Sequence, residues 1–102
     1  MSHERPDIPK DLIQAFCRKR HIRKLSVFGS YLREDFGPES VIEFLAEFEK
    51  GRTPGYIDRV EINEELSELL GGYDVDLQTP KDVRGFLRDE IMAEAVVLYA
   101  KE

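Results

Sequence analysis

The residues with the clearest chemical use lie in or after three apolar runs. Gly29-Ser30 follows the first run, Glu43 interrupts the second, and Asp76 lies within the third. A strand that ends in Gly-Ser offers amides and a hydroxyl to phosphate oxygens, and carboxylates hold the Mg²⁺ that neutralises those oxygens. If the three runs are neighbouring strands, these groups converge on one cleft, as nucleotidyl transfer requires.

One carboxylate is missing from this arrangement. Two Mg²⁺ ions about 3.5–4 Å apart clamp the attacking and leaving oxygens in such reactions, and they share carboxylate ligands. Residues two apart in a strand point to the same face, so a second ligand beside Glu43 would stand at position 41. That residue is Val41, whose side chain cannot coordinate a cation.

Simpler structural roles are open for each residue taken alone. Gly29 is typical of a turn at a strand end, and Ser30 is typical of a helix cap. Glu43 would be a charge on an edge strand, and Asp76 an exposed position on a half-buried one. Only their occurrence together and in order favours a functional site.

Composition predicts one soluble globular domain over residues 1–102, in which residues 1–9, with two prolines, form a loose arm. Apolar residues make up 41% of the chain, but no run approaches the roughly 18–20 residues of a membrane span. The single cysteine, Cys17, excludes an internal disulfide and fits a reducing cytoplasm. We expect it to be a small buried apolar residue on a helix.

The net charge of −6 is unevenly distributed. Residues 1–33 carry eight Lys and Arg against three Asp and Glu, whereas residues 34–102 carry seven against eighteen. The basic cluster over 18–24 would suit nucleic acid or an acidic partner. A solvated helix end is the favoured interpretation, because the acidic remainder would repel a long polyanion.

Hydrophobic periodicity predicts a small α+β fold. The expected elements, in order, are a helix at about 11–20, a strand at 22–28, a helical turn at 31–36, a strand at 41–48, a helix at 57–70, a strand at 73–78, and a last helical region that is broken near Gly85 and amphipathic through Leu87, Ile91, Ala95 and Leu98. We therefore predict a mixed sheet of three or four strands with helices packed mainly on one face.

Taken together, these motifs resemble the minimal nucleotidyltransferases of the DNA polymerase β superfamily. The family pattern is Gly-Ser, ten residues, Asp-x-Asp, and a third Asp on a later strand. The resemblance extends from about Leu12 to Tyr99. The segments that match the family are Phe28-Gly29-Ser30, Arg33 with Asp35, Gly37-Pro38-Glu39-Ser40, Val75-Asp76-Leu77 with Thr79-Pro80, and the helix from Phe86 to Ala95. The spacing puts Val41 at the first metal Asp and Glu43 at the second.

The resemblance implies that Gly29, Ser30 and Arg33 bind ATP or another NTP. It also implies that Glu43 and Asp76 are the catalytic residues and the Mg²⁺ ligands. Loss of one ligand at Val41 leaves Mg²⁺ binding weak or lost, since even partners of metal ligands contribute about 10–100-fold.

The resemblance further implies a prokaryotic, cytoplasmic toxin–antitoxin role. Family members are commonly antitoxins paired with a HEPN-domain toxin, which they neutralise by transferring AMP to a toxin tyrosine, by binding it, or both. An active transferase is therefore one hypothesis. An inactive module that docks on a toxin or on its own copy, through exposed apolar area on the last helix or the loop 51–55, is the second, and Val41 favours it. A nucleic-acid-binding domain is a distant third.

Overall fold

A computed structural model describes residues 5–83 and 85–101 of the chain. The helices and strands, in order, are α1 (Lys10–Lys19), β1 (Ile22–Phe28), β2 (Ile42–Phe48), α2 (Tyr56–Leu69), β3 (Val75–Gln78), α3 (Gly85–Glu94) and β4 (Val96–Ala100). Short 3₁₀ turns occupy Gly29–Leu32 and Pro80–Asp82. The first of these replaces the helical turn predicted at 31–36.

The strands form one mixed sheet in the order β3-β2-β1-β4. Strand β1 is antiparallel to both β2 and β4, whereas β2 and β3 run parallel. The register pairs Phe28 with Glu43 and Glu43 with Asp76. These three residues therefore form one row across three adjacent strands, and Gly29 follows directly at its end.

The main core lies on the face of the sheet covered by α1 and α2. Alternation along β2 sends Ile42, Phe44 and Ala46 into it, all fully buried. Its other members come from both helices and the neighbouring strands: Ile13, Phe16, Cys17, Ile22, Leu25, Val27, Phe36, Ile62, Leu66, Leu70 and Leu77. Cys17 is fully buried on α1, as predicted, and burial raises the pKa of its thiol to about 12.

The second face of the sheet carries a smaller apolar cluster. Phe28 and Leu45 pack there with Val83, and Ile91 and Ala95 at the C-terminal end of α3 cover them. Two of the three helices thus share one face and the third lies over part of the other. The predicted α+β architecture, with helices mainly on one face, is confirmed.

The predicted amphipathic helix through Leu98 is wrong at its C-terminal end. Helix α3 ends at Glu94, and Val96–Ala100 forms β4, so the element order ends in a strand. The β-branched pair Val96-Val97 and the aromatic Tyr99 favour extended backbone. This segment also pairs with the otherwise open edge of β1, which supplies hydrogen bonds that a helix could not.

Residues 5–9 of the predicted arm run beside the turn that follows β1. The Arg5 guanidinium donates to the carbonyls of Tyr31 and Arg33, and the Tyr31 hydroxyl donates to the carbonyl of Pro6 at 2.9 Å. Ile8 packs against the main core. Residues 1–4 of that arm lie outside the described residues.

Acidic partners neutralise much of the basic cluster over 18–24. Lys19 and Arg20 both pair with Glu65 of α2 at 2.8 Å, and Arg23 pairs with Glu47 of β2 at 2.8 Å. These pairs link α1, α2 and the sheet, which agrees with a structural role for the cluster. No helix within residues 5–83 and 85–101 is both long and apolar enough to cross a membrane.

Replacing Phe44 with Ala tests the main core. Phe44 is fully buried in the central strand β2, so Phe44→Ala should lower the free energy of unfolding by roughly 3–5 kcal/mol. Urea denaturation followed by circular dichroism measures the change. Tyr56→Ala is the matched control, because Tyr56 is 83% exposed and its loss should change stability by less than about 0.5 kcal/mol. Equal effects of both changes would contradict this placement of the core.

Asp82 makes stability depend on pH in a defined acidic range. The Arg59 guanidinium, 2.6 Å away, together with the amide and hydroxyl of Thr79, lowers the pKa of the Asp82 carboxyl from 3.8 to about 2. The ionised Asp82 carboxylate stabilises the fold fully above about pH 4, and this stabilisation is lost as the pH falls through about 2. The free energy of unfolding of Asp82→Asn should therefore change less between pH 4 and 2 than that of the unaltered chain. Asp35→Asn, at an exposed site, should keep the original dependence.

Candidate active site

A left-handed turn at Gly29 brings the end of β1 against β2. Gly29 is buried and has φ of +72°, a region that residues with a Cβ rarely adopt. A Cβ on this residue would also overlap the Glu43 carboxylate. The backbone conformation favours glycine here, and the end of the flexible Glu43 side chain occupies the space that a Cβ would need.

Ser30 connects this turn to the start of β2. Its hydroxyl donates to the carbonyl of Val41 at 2.5 Å, across the ten residues that separate Ser30 from Val41. The side chain thus bonds a distant loop carbonyl and does not cap its own turn. The Ser30 hydroxyl lies beside the residues that flank Glu43.

Glu43 and Asp76 lie on adjacent parallel strands as direct register partners. Neighbouring strands are about 4.8 Å apart, and paired residues project from the same face, so the two carboxylates lie side by side on one face of the sheet. Glu43 is half-buried beneath the Gly29 turn, whereas Asp76 is exposed. The Asp76 carboxylate accepts a hydrogen bond from the Gln78 amide at 3.1 Å.

Val41 lies just before β2 and is 41% exposed. Its side chain offers no ligand atom, and its carbonyl accepts the Ser30 hydroxyl.

Among residues 5–83 and 85–101, no three His, Cys, Asp or Glu side chains are grouped to hold a metal. Two carboxylates fit one Mg²⁺ that arrives with phosphates, since this ion is held by one or two carboxylates plus phosphate oxygens. They do not fit a pair of ions that needs a third shared ligand.

Arg33 stands apart from the carboxylate pair. It follows the 3₁₀ turn, its side chain is exposed, and its backbone carbonyl accepts the Arg5 guanidinium. No hydrogen bond or ion pair between described residues joins the Arg33 side chain to Glu43 or Asp76. Arg33 could still reach a phosphate that extends beyond the turn.

Glu94 is a member of the site that the sequence analysis missed. Its carboxylate accepts the backbone N–H of Gly29 at 3.2 Å from the last residue of α3. The sequence offered no signal for this contact, because the helix predicted through Leu98 placed Glu94 within the helix and not at its end. Without the fold, its distant partner could not be identified.

A shallow groove of about 400 Å³ opens beside Asp76. Residues of α2 line one wall, and the strand β3 and the turn after it line the other: Tyr56, Arg59, Val60, Asn63, Leu77, Gln78 and Asp82. Arg59 is held in this groove by Asp82 and by the Leu77 carbonyl at 2.9 Å. Asp76 is thus open on this side to a ligand or to a second protein.

The sequence matches the family described as "Polymerase beta, Nucleotidyltransferase" over residues 10–102. A Methanocaldococcus jannaschii protein, provisionally named a protein adenylyltransferase, is 37% identical over 78 residues, which cover 76% of this chain and 81% of that protein. The protein adenylyltransferase MntA of Thermococcus cleftensis is 31% identical over 75 residues, which cover 74% of this chain and 73% of that protein.

Solved structures share the fold. A crystal structure of a toxin–antitoxin with AMP-PNP superposes with a TM-score of 0.73 at 21% identity, over 91% of this chain and 74% of that one. A structure of a tri-AMPylated Shewanella oneidensis HEPN toxin in complex with an MNT antitoxin gives 0.62 at 22% identity, over 90% of this chain and 70% of that one. At these identities the similarity is one of fold.

Replacing Gly29 with Ala tests the contact between the turn and Glu43. Gly29→Ala combines the left-handed strain of about 1–2 kcal/mol with the overlap on the carboxylate, so it should destabilise the fold by more than strain alone. Gly51→Ala is the matched control, because Gly51 has φ of +76° with no atoms within 4 Å of an added Cβ. Urea denaturation of both variants measures the difference, and equal losses would show that Gly29 does not press on Glu43.

Proposed function

Because this chain belongs to the polymerase beta nucleotidyltransferase family, we propose that it is the antitoxin of a toxin–antitoxin pair. Its site transfers AMP from Mg-ATP to a hydroxyl of a HEPN-type partner toxin. The new bond joins the toxin oxygen to the α-phosphorus of ATP, and the bond from that phosphorus to pyrophosphate breaks.

The row Phe28–Glu43–Asp76, with the Gly29 turn at its end, is the observation that carries this proposal. It sets a hydroxyl-bearing turn and two carboxylates side by side, which suits a nucleotide whose phosphates arrive with a cation. Other arrangements of a small sheet would not require a left-handed glycine against a carboxylate. The names of the two adenylyltransferase relatives support AMP as the transferred group.

The residues have separate tasks in this reaction. Ser30 can rotate its hydroxyl from the exposed Val41 carbonyl to a phosphate oxygen, and the turn at Gly29 lets the phosphates come close to the backbone. Glu43 and Asp76 would hold Mg²⁺, which neutralises phosphate charge when it is bound. Arg33 contributes a positive charge at the outer end of the turn.

Support for the partner comes from the solved structures of similar fold, which include a toxin–antitoxin with AMP-PNP and an AMPylated HEPN toxin in complex with an MNT antitoxin. The open groove beside Asp76 leaves room for an approaching protein hydroxyl.

Docking without transfer is the second candidate function. Val41 favours it, because a two-carboxylate site fits one cation where the reaction uses two. Apolar residues exposed on α3 and α2 would serve a toxin or a second copy of this chain: Leu87, Met92, Tyr56, Ile57 and Val60. The same fold would then neutralise its partner by covering it.

Restoring the two acids separates these functions. Val41→Asp with Glu43→Asp should strengthen Mg²⁺-dependent ATP binding by about 10–100-fold, because a missing carboxylate ligand is supplied. Calorimetric titration of ATP with and without Mg²⁺ measures binding, and transfer of labelled AMP to a purified HEPN partner measures the reaction.

Val41→Asn is the matched control, since it adds a polar side chain of similar size without a charge. It should leave Mg²⁺-dependent binding near that of the unaltered chain. If the unaltered chain transfers AMP as fast as the double variant, the hypothesis that Val41 slows the transfer is refuted. If neither chain binds ATP or transfers AMP, the nucleotide-dependent function is refuted, and docking must be measured directly with the partner.

A further inference from the structure

The Glu94 carboxylate contacts the Gly29 turn, and we propose that Glu94 is a positioning residue for this phosphate-binding turn. Its carboxylate accepts the Gly29 amide at 3.2 Å, although 65 positions separate the two residues. This inference rests on the proposed function, in which the Ser30 hydroxyl binds a phosphate oxygen and the Gly29 turn lets the phosphates come close to the backbone.

The turn needs external contacts because glycine does not hold a conformation by itself. Gly29 is free to adopt either sign of φ, so its value of +72° must be selected by its surroundings. Glu43 lies against one side of its Cα, and Glu94 holds its amide. Two carboxylates from different elements thus keep the turn in a single geometry.

Helix α3 is anchored where this contact requires it. Ile91 and Ala95, on either side of Glu94 in sequence, pack against the apolar cluster that contains Phe28, the residue directly before Gly29. The carboxylate is therefore presented by a packed helix end. Glu94 is also the last residue of α3, where the helix dipole disfavours a negative charge, and the amide contact offsets that effect.

Glu94 acts through Gly29 and does not itself touch the nucleotide. With its amide engaged, Gly29 keeps Ser30 in place, and the Ser30 hydroxyl is the group that turns toward phosphate. Loss of the Glu94 acceptor would leave a buried amide without its partner and allow the turn to change φ. Ser30 would then lose its fixed position relative to Glu43 and Asp76.

Two substitutions at Glu94 separate its hydrogen bond from its charge. Glu94→Ala removes the acceptor and should weaken Mg-ATP binding by about tenfold, as expected for one lost hydrogen bond to a charged group. Glu94→Gln keeps a carbonyl acceptor and should bind within about threefold of the unaltered chain. Glu90→Ala, on the exposed face of α3, is the control for a general loss of negative charge and should bind like the unaltered chain.

Calorimetry gives the affinities at a temperature where circular dichroism shows every variant folded. The ¹⁵N–¹H resonance of Gly29 gives a second readout, which should move in Glu94→Ala and stay near its position in Glu90→Ala. A purely structural role would lower the melting temperature of Glu94→Ala without changing its affinity for Mg-ATP.

The outcomes are distinct. Unchanged Mg-ATP affinity in Glu94→Ala, or equal weakening in Glu94→Gln and Glu94→Ala, overturns the positioning role and leaves the proposed function standing. Absence of binding heat from both Mg-ATP and Mg-triphosphate in the unaltered chain refutes nucleotide binding itself, and the positioning role falls with it. Weakening in Glu94→Ala that Glu94→Gln rescues supports the inference.

Discussion

The close approach of Gly29 to the Glu43 carboxylate is the constraint on which the site depends. The left-handed backbone favours glycine at the end of β1, and the Glu43 carboxylate of β2 lies beneath the turn in the space that a Cβ would take. The parallel pairing of β2 with β3 then sets Asp76 beside Glu43. The carboxylates of Glu43 and Glu94 both lie beside the Gly29 turn, so a bound phosphate would need an accompanying cation.

Much of the fold could be predicted because hydrophobic periodicity in β1, β2 and α2 is strong and local. The bounds predicted for β1 agree with the structure, and those for α2 differ by one residue at each end. The region after Glu94 could not be predicted in this way. Leu98 continues a helical spacing, but its segment extends the sheet because β1 has a free edge, and that partner lies about 70 residues earlier in the sequence.

The residues of the candidate site also differ in whether they could be predicted from the sequence. Gly29, Ser30, Glu43 and Asp76 could be proposed from their order and spacing, and the structure places them together. Glu94 could not, since only the packing of α3 onto Phe28 brings it to the turn. Arg33 was predicted as a site residue but stands apart from Glu43 and Asp76, because a match to a family pattern does not determine where an exposed side chain points.

The sheet order has a consequence for synthesis of the chain on the ribosome. β1, which ends at the site, lies between β2 and β4, and β4 is made of residues 96–100. The partner of the Gly29 amide is also translated 65 residues after it. Such long-range contacts form slowly and only after the later segment has left the exit tunnel. A nascent chain stalled before α3 would therefore carry the two acids of the sheet but an incomplete turn, so the site is complete only after α3 has been translated.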